Sequence, residues 1–339
     1  MKEKIFSIQP PVGEAVALYK NVWEKGRFVD TLSIVAGLHG DHLNGLHLVS
    51  LLSRFLQDVE DGRLPGFRIA GKIQLFPVVN IQAVLEGERL WSFDNLDLDL
   101  AFPGSSCGEL ADRLCNALYK HTADSNYALL LDASEKRYVS FPHIQLLRPD
   151  RSLRRAARYL AGKVPGGGPD RFPGLGIVRE LQPTPAFQLR LYNQWIENNV
   201  CALVLAGGRS ASIDTETNGA LLANVVNFML AIGVLAHEKR KAEKGEVRFY
   251  SPENERRVSA SHPGLFLPEA RIGESVKQGR KLGEVRDIHS GETLEELFAP
   301  QDGLLLTLRD YPLVYQNETV ATLLVEKERR WYWPFFMGE

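Results

Sequence analysis

With 339 residues, 44% of them apolar and 24% charged, the chain has the composition of a soluble globular protein long enough for two domains. Its 40 lysines and arginines against 42 aspartates and glutamates give a formal charge of -2, so no general attraction to nucleic acid or to an anionic membrane is expected. The apolar runs are too short to span a bilayer, and the start M-K-E-K-I-F-S-I-Q-P-P lacks a signal-peptide core. The odd set Cys107, Cys115 and Cys201 fits reduced thiols in a cytoplasmic protein better than a disulfide framework.

After the Pro10-Pro11 break the spacing predicts a helix over 14–23. A strand is expected over 32–38, running into a turn that carries His39, Gly40, Asp41 and His42, with an amphipathic helix over 46–57 behind it. A second strand follows over 72–80, broken near its end by Pro77. Strand, helix, strand is the pattern of a mainly parallel, helix-covered sheet, an α/β fold. In such sheets the carboxyl ends of the strands carry the active residues, and two imidazoles three residues apart can reach one metal ion from a single turn.

Residues 82–104 hold too many polar and turn-forming residues for a core element and read as a long functional loop. A helix over 109–121 and a strand over 127–132 come next, the strand leading into Asp132-Ala133-Ser134. Residues 148–174 read as a short helix and a flexible loop whose arginines form a solvated face. A helix over 187–199, a strand over 201–205 and a long apolar helix over 220–235 complete the first domain. The charged stretch 239–248 marks the boundary, giving an α/β domain at 1–245 and a β-rich domain of short strands at 246–339. The terminal Trp331, Trp333, Phe335 and Phe336 read as core or interface rings, which would suit a homo-oligomer contact.

The stretch G-L-H-G-D-H-L-N-G over 37–45 resembles the G-x-H-G-x-E-x-x-G zinc motif of the succinylglutamate desuccinylase/aspartoacylase family, whose members are similar to zinc carboxypeptidases. Arg89 followed by D-L-D-L-A-F-P-G over 97–104 is similar to the family's Arg and its D/N-L-N-R-x-F-P-G segment. I-D-T-E-T-N-G over 213–219 resembles the family's T-x-E-x-G segment. Residues 270–283 and A-P-Q-D-G over 299–303 look like the hairpin and turn of biotinyl/lipoyl-like barrels, without their modified lysine. The resemblance covers roughly residues 30–325.

It implies a carboxypeptidase-type α/β domain, a small β-barrel-like C-terminal domain, and one zinc ion per chain held by His39, with His42 in place of the family's Glu. It implies a deacylase that hydrolyses an amide of a small acylated amino acid or amine, with Glu216 as general base and Arg89, Asp97 and Asp99 lining the substrate pocket. The chain departs from the pattern at three points. His42 replaces a Glu, Asp99-Leu100 replaces an Asn-Arg pair that grips a carboxylate, and Ser134 stands where the third zinc ligand belongs. Asp132 is then the replacement ligand expected, with His143 as substitute. Imidazole also suits nickel, iron and copper, so ligand type does not fix the ion. The competing reading is a catalytically inactive relative that kept the pocket as a ligand-binding or partner-binding site.

Overall fold

The computed structural model describes residues 1–326 apart from 10–11, 27–29, 135 and 163–174. The Pro10-Pro11 break, most of the loop expected after the 148–174 helix, and Trp331, Trp333, Phe335 and Phe336 lie outside the described residues. The chain divides into two compact units, Met1–Phe249 and Tyr250–Glu339.

The first unit opens with strands β1 (Lys2–Ile8), β2 (Val16–Glu24) and β3 (Thr31–Val35), then helix α1 (Leu43–Glu60). Strands β4 (Phe67–Ile69) and β5 (Lys72–Phe76), helices α2 (Ile81–Glu86) and α3 (Leu110–Thr122), and strands β6 (Tyr127–Leu131) and β7 (Tyr138–Leu147) follow. Helix α4 (Arg151–Ala161), strand β8 (Ile177–Leu181), helix α5 (Leu191–Glu197), strand β9 (Cys201–Arg209), helix α6 (Thr215–Ala231) and strand β10 (Leu235–His237) complete it. The sheet runs β1-β2-β5-β3-β6-β9-β7-β8. Its centre, β5-β3-β6-β9, is parallel, while β2 and β7 join it antiparallel. This is the mixed α/β architecture that the sequence pattern implies.

Alternation along the central strands builds two cores. Leu32, Ile34, Leu129, Leu131, Leu203 and Leu205 face α1, α4 and α6, whereas Val35, Ala128, Leu130, Ala202 and Val204 face α3 and α5. A strand buried on both faces reads as a continuous apolar run, which is why these strands were legible. The segment 14–23 differs from expectation. It is strand β2, and Val16, Ala17, Leu18 and Lys20 are all buried along it. A short run of apolar and β-branched residues fits either period, and pairing with β1 and β5 decides in favour of a strand. Ser140 to His143 lie inside β7, with Pro142 accommodated where the register against β9 shifts.

In the second unit, antiparallel strands dominate. Thr293–Phe298, Lys281–Arg286, Gly264–Pro268 and Leu313–Val314 form a four-stranded sheet, and Glu255–Ser259 pairs with Thr319–Leu324, which pairs with Gly303–Arg309. The two motifs at 270–283 and 299–303 meet: Gly279 N–H donates to Ala299 O at 2.9 Å, and Lys277 Nζ pairs with Asp302 at 2.7 Å.

Candidate metal centre

The turn after β3 is shaped by one close approach. A Cβ on Gly40 would stand 2.2 Å from the carbonyl carbon of Ala83 in α2, so only glycine lets the two backbones pass. Asn80 caps α2, accepting from Ala83 N at 3.2 Å, while its side-chain amide donates to Leu38 O at 3.3 Å. The turn is thereby fixed between β3 and α2, and it buries His39, Asp41 and His42. The long segment behind α2 is pinned by the buried side chains of Trp91, Leu98 and Phe102 in the second core. Asp97 starts a short 3-10 turn, Leu98–Leu100, and is thus delivered to the histidines.

The histidines converge on one carboxylate. His42 Nδ1 lies 2.8 Å and His39 Nδ1 3.8 Å from Asp132 Oδ1, at the carboxyl end of β6. Ligand atoms of His39, His42 and Asp132 all fall within 4.8 Å of one another. A tetrahedral ion with bonds of about 2.0–2.2 Å sets its ligand atoms about 3.3–3.6 Å apart, so the observed separations bracket the required spacing. The outer ring nitrogens are also held. His39 Nε2 is 2.8 Å from Asp97 Oδ1, and His42 Nε2 is 3.6 Å from Asp41 Oδ1. A carboxylate hydrogen-bonded behind the ring, as Asp97 is behind His39, is what orients a metal-binding histidine.

The electrostatics follow from this packing. Burial would lower the pKa of His39, but hydrogen bonds to Asp132 and Asp97 overcome it and raise it to about 9. Burial alone would raise Asp97, yet the same His39 contact takes it down to about 2. Asp132 is likewise held well below the usual carboxylate range by His42 and His39, against its desolvation. A protonated His39 between two carboxylates is therefore the cation that balances them when no ion is present. Arg89 Nη1 donates to His42 Nε2 at 3.1 Å, and Ala133 N donates to His42 Nδ1 at 3.3 Å.

Not every expected residue joins this group. The Ser134 hydroxyl is turned away to Ser140. His143 is fully engaged elsewhere in β7, with Nδ1 2.8 Å from Phe141 O and Nε2 3.0 Å from Gln145. Burial takes its pKa down to about 3, and it is not among the clustered ligands. Asp99 is buried and accepts from Arg190 Nη1 at 2.6 Å, so it faces a cation of its own chain rather than open pocket. Glu216 is exposed in the first turn of α6. The residues of that turn that line the pocket beside Asp132 are instead Asp214, Thr217 and Asn218.

Two contributors had no sequence signal. Arg190 stands in no motif. Asp41 sits between the two histidines as an unremarked motif position, yet it accepts from Ser210 Oγ at 2.5 Å while its carbonyl accepts from Ala211 N at 2.7 Å.

The profile of the succinylglutamate desuccinylase/aspartoacylase catalytic domain matches residues 29–141, which hold the histidine turn, the Asp97 segment and the Asp132 strand. The match covers a third of the chain, and it is with the catalytic domain of that family. A curated relative, the N-alpha-acetyl-L-2,4-diaminobutyric acid deacetylase of Halomonas elongata, is 23% identical over 86% of this chain and 81% of its own length. Among solved folds, a succinylglutamate desuccinylase/aspartoacylase from Rhodobacter sphaeroides superposes with a TM-score of 0.74 at 19% identity, covering 96% of each chain. A product-bound ectoine utilization protein from Ruegeria pomeroyi also gives 0.74, at 16% identity over 92% of this chain and 90% of that one. These likenesses establish a shared fold.

Proposed function

We propose that this protein is a metal-dependent amide hydrolase, a deacylase of a small acylated amino acid or amine, with zinc as its ion, one per chain. The observation that carries the reading is the convergence of His39 Nδ1, His42 Nδ1 and Asp132 Oδ1 at the end of β6, backed by Asp97. A zinc ion there would act as a Lewis acid on the scissile carbonyl. His39, His42 and Asp132 would hold it, and Asp97 would keep the His39 imidazole in register. Arg89, a quarter exposed and 3.8 Å from Asp97, stands at the mouth to orient an acyl or carboxyl oxygen. Glu216, in the exposed first turn of α6, is the carboxylate proposed to move into proton range once substrate is bound. The activity by which the Halomonas relative is named, removal of an acetyl group from a diamino acid, supports this substrate class. We further propose a cytoplasmic protein whose second unit is a biotinyl/lipoyl-like barrel. No helix among the described residues is long and apolar enough to cross a membrane, and three free cysteines suit a reducing compartment.

A second reading, a catalytically inactive binding protein, is favoured by one observation: Glu216 does not line the pocket beside Asp132. The test joins elemental analysis of untagged protein to a hydrolysis assay on N-acetylated diamino acids and acylated amines, with His39→Ala/His42→Ala as control. About one metal per chain that is lost in the variant, with turnover, supports the hydrolase. Metal without turnover, or with turnover unchanged in Glu216→Gln, removes the role given to Glu216. Absence of metal from correctly folded protein sinks the reading.

A further inference from the structure

Four arginines of α4 take no part in the metal centre. Arg151, Arg154, Arg155 and Arg158 are spaced i, i+3, i+4 and i+7, so they share one exposed stripe, while Leu153, Ala156, Ala157 and Leu160 bury the opposite side. The stripe works against the helix. Like charges stand four residues apart twice, and the first turns, where the dipole disfavours cations, carry Arg151, Arg154 and Arg155. Strand β7 runs antiparallel to β9 and ends beside its first residues, so α4 begins at the sheet edge opposite the carboxyl ends that deliver Asp132.

A fifth cation is brought to the stripe by the chain beyond α6. Asn227 Nδ2 donates to Tyr159 O at 2.7 Å and to Glu243 O at 2.8 Å, and its Oδ1 accepts from Glu243 N at 3.0 Å. Gly245 N donates to Arg158 O at 2.8 Å. A Cβ on Gly162 would stand 1.9 Å from Glu243 O, and one on Gly245 2.5 Å from the carbonyl carbon of Ala161, so the two backbones touch. Lys244 is thereby fixed near the end of α4, its Nζ 5.5 Å from the centre of the Tyr159 ring. Arg155 Cζ lies 5.8 Å from the centre of the same ring, and Arg158 Cζ 5.2 Å from that of Phe249. The rings hold these cations without neutralising them.

The five cations line an open concavity of about 790 Å³, the size of a small-molecule site. Two carboxylates stand beside them, and both are engaged. Asp150 Oδ1 accepts from Leu153 N at 2.7 Å as the cap of α4, and Glu180 accepts from Arg154 Nε and Nη2 at 2.7 and 3.0 Å. Among the described residues no carboxylate pairs with Arg151, Arg155 or Arg158. The stripe from Arg151 to Arg158 is about 10 Å long, more than one phosphoryl group can reach. Guanidinium forks match phosphoryl oxygens in paired hydrogen bonds. A polymeric anion gains nothing from the rest of the chain, whose formal charge is -2.

We propose that this concavity binds a small molecule carrying a diphosphate or triphosphate chain, gripped by Arg151, Arg155, Arg158 and Lys244. The site does not depend on the metal centre.

The test is calorimetric titration of the full chain with tripolyphosphate, pyrophosphate, orthophosphate, tricarballylate and a short oligothymidylate. Wild type is compared with Arg155→Gln/Arg158→Gln and with Lys244→Gln. His39→Ala/His42→Ala separates the concavity from chelation at the histidines. Arg54→Gln/Arg257→Gln makes the same change of net charge at exposed positions elsewhere. The expected result is one tripolyphosphate per chain, in wild type and the histidine variant alike. Pyrophosphate should bind within about tenfold of it, and orthophosphate and tricarballylate at least tenfold more weakly. Arg155→Gln/Arg158→Gln should weaken tripolyphosphate at least tenfold and Lys244→Gln about threefold, with less than a twofold change in Arg54→Gln/Arg257→Gln. Tripolyphosphate should also raise the thermal midpoint of wild type and not that of Arg155→Gln/Arg158→Gln, whose far-ultraviolet circular dichroism should be unchanged. No saturable binding, binding lost in the histidine variant, or an equal loss in Arg54→Gln/Arg257→Gln would overturn the proposal. So would tricarballylate binding equal to tripolyphosphate, or oligothymidylate binding more tightly than either phosphate chain.

Discussion

The Arg190–Asp99 contact offers the sharpest test of how the pocket wall is held. Asp99 is 4% exposed, and Arg190 Nη1 donates to its Oδ2 at 2.6 Å. Burial pushes the Asp99 carboxyl up to about 6; Arg190 and His39 oppose this, and Asp132 and Asp97 add to it. The folded value thus lies above the ordinary 3.8, so the folded chain holds this proton more tightly than the unfolded one and stability falls as pH rises from about 4 through about 6. Arg190→Met removes the main opposing charge and moves the folded value higher still. Breaking a buried pair costs ~3–5 kcal/mol, but the Arg190 side chain is 31% exposed, and its partial hydration reduces the expected loss to ~2–3 kcal/mol. That loss belongs to pH 7.5, where Asp99 has to ionise. Near pH 5 the carboxyl is mostly neutral with or without Arg190, and the deficit should shrink to about 1 kcal/mol or less. Urea unfolding at both pH values measures this, and Asp99→Asn in the Arg190→Met background should restore part of the loss at pH 7.5. Equal deficits at the two pH values, or a double variant as weak as the single one, would refute the electrostatic argument.

Three further outcomes are expected. Asp97→Asn keeps an acceptor for His39 Nε2 but removes its charge, and should weaken metal binding by about 10–100-fold in a competition titration while leaving the far-ultraviolet circular dichroism unchanged. Gly40→Ala places a methyl 2.2 Å from the backbone of α2 and should lower stability by about 1–3 kcal/mol or more. It should also cut metal content, because relief of the clash moves the turn that carries both histidines. Leu48→Ala, at a position 2% exposed in the core between α1 and the sheet, should cost about 2–5 kcal/mol in the same urea assay.

The parallel centre of the sheet was readable because β6 and β9 are buried on both faces with apolar runs, while β3 and β5 are interrupted only by buried Ser33 and Gln74. Helices α1 and α3 were readable from their apolar spacing, although α1 begins at Leu43, close behind the second histidine. The edge of the sheet was not. Strand β2 has a length and composition that satisfy either period, and only its neighbours settle the matter. At the site, the histidine turn and Asp132 were visible as motif positions at strand ends. Asp132 differs from the position the frame marks for a ligand, Ser134, by two residues, and both follow the end of β6. Arg190 was hidden because its partner, Asp99, is 91 residues away and no local pattern links them. Glu216 was placed by a motif frame alone, and a frame says nothing of whether a helix's first turn faces the cleft or the solvent.

The histidine turn is tied to the chain at widely separated points. His39 meets Asp97 across 58 residues, His42 meets Ala133 N across 91, and Asp41 meets Ser210 across 169. Each contact closes a loop whose entropy has been lost before the contact forms, so the set is complete only when most of the first unit has already folded. Fragments and partly folded chains then present one or two of the donors but never the full set. Under the proposed function, loading would report on completed folding and act in return on the whole unit. An ion bound with a Kd a hundredfold below its free concentration would add about 2.7 kcal/mol to stability, comparable to the loss expected from the Arg190 substitution.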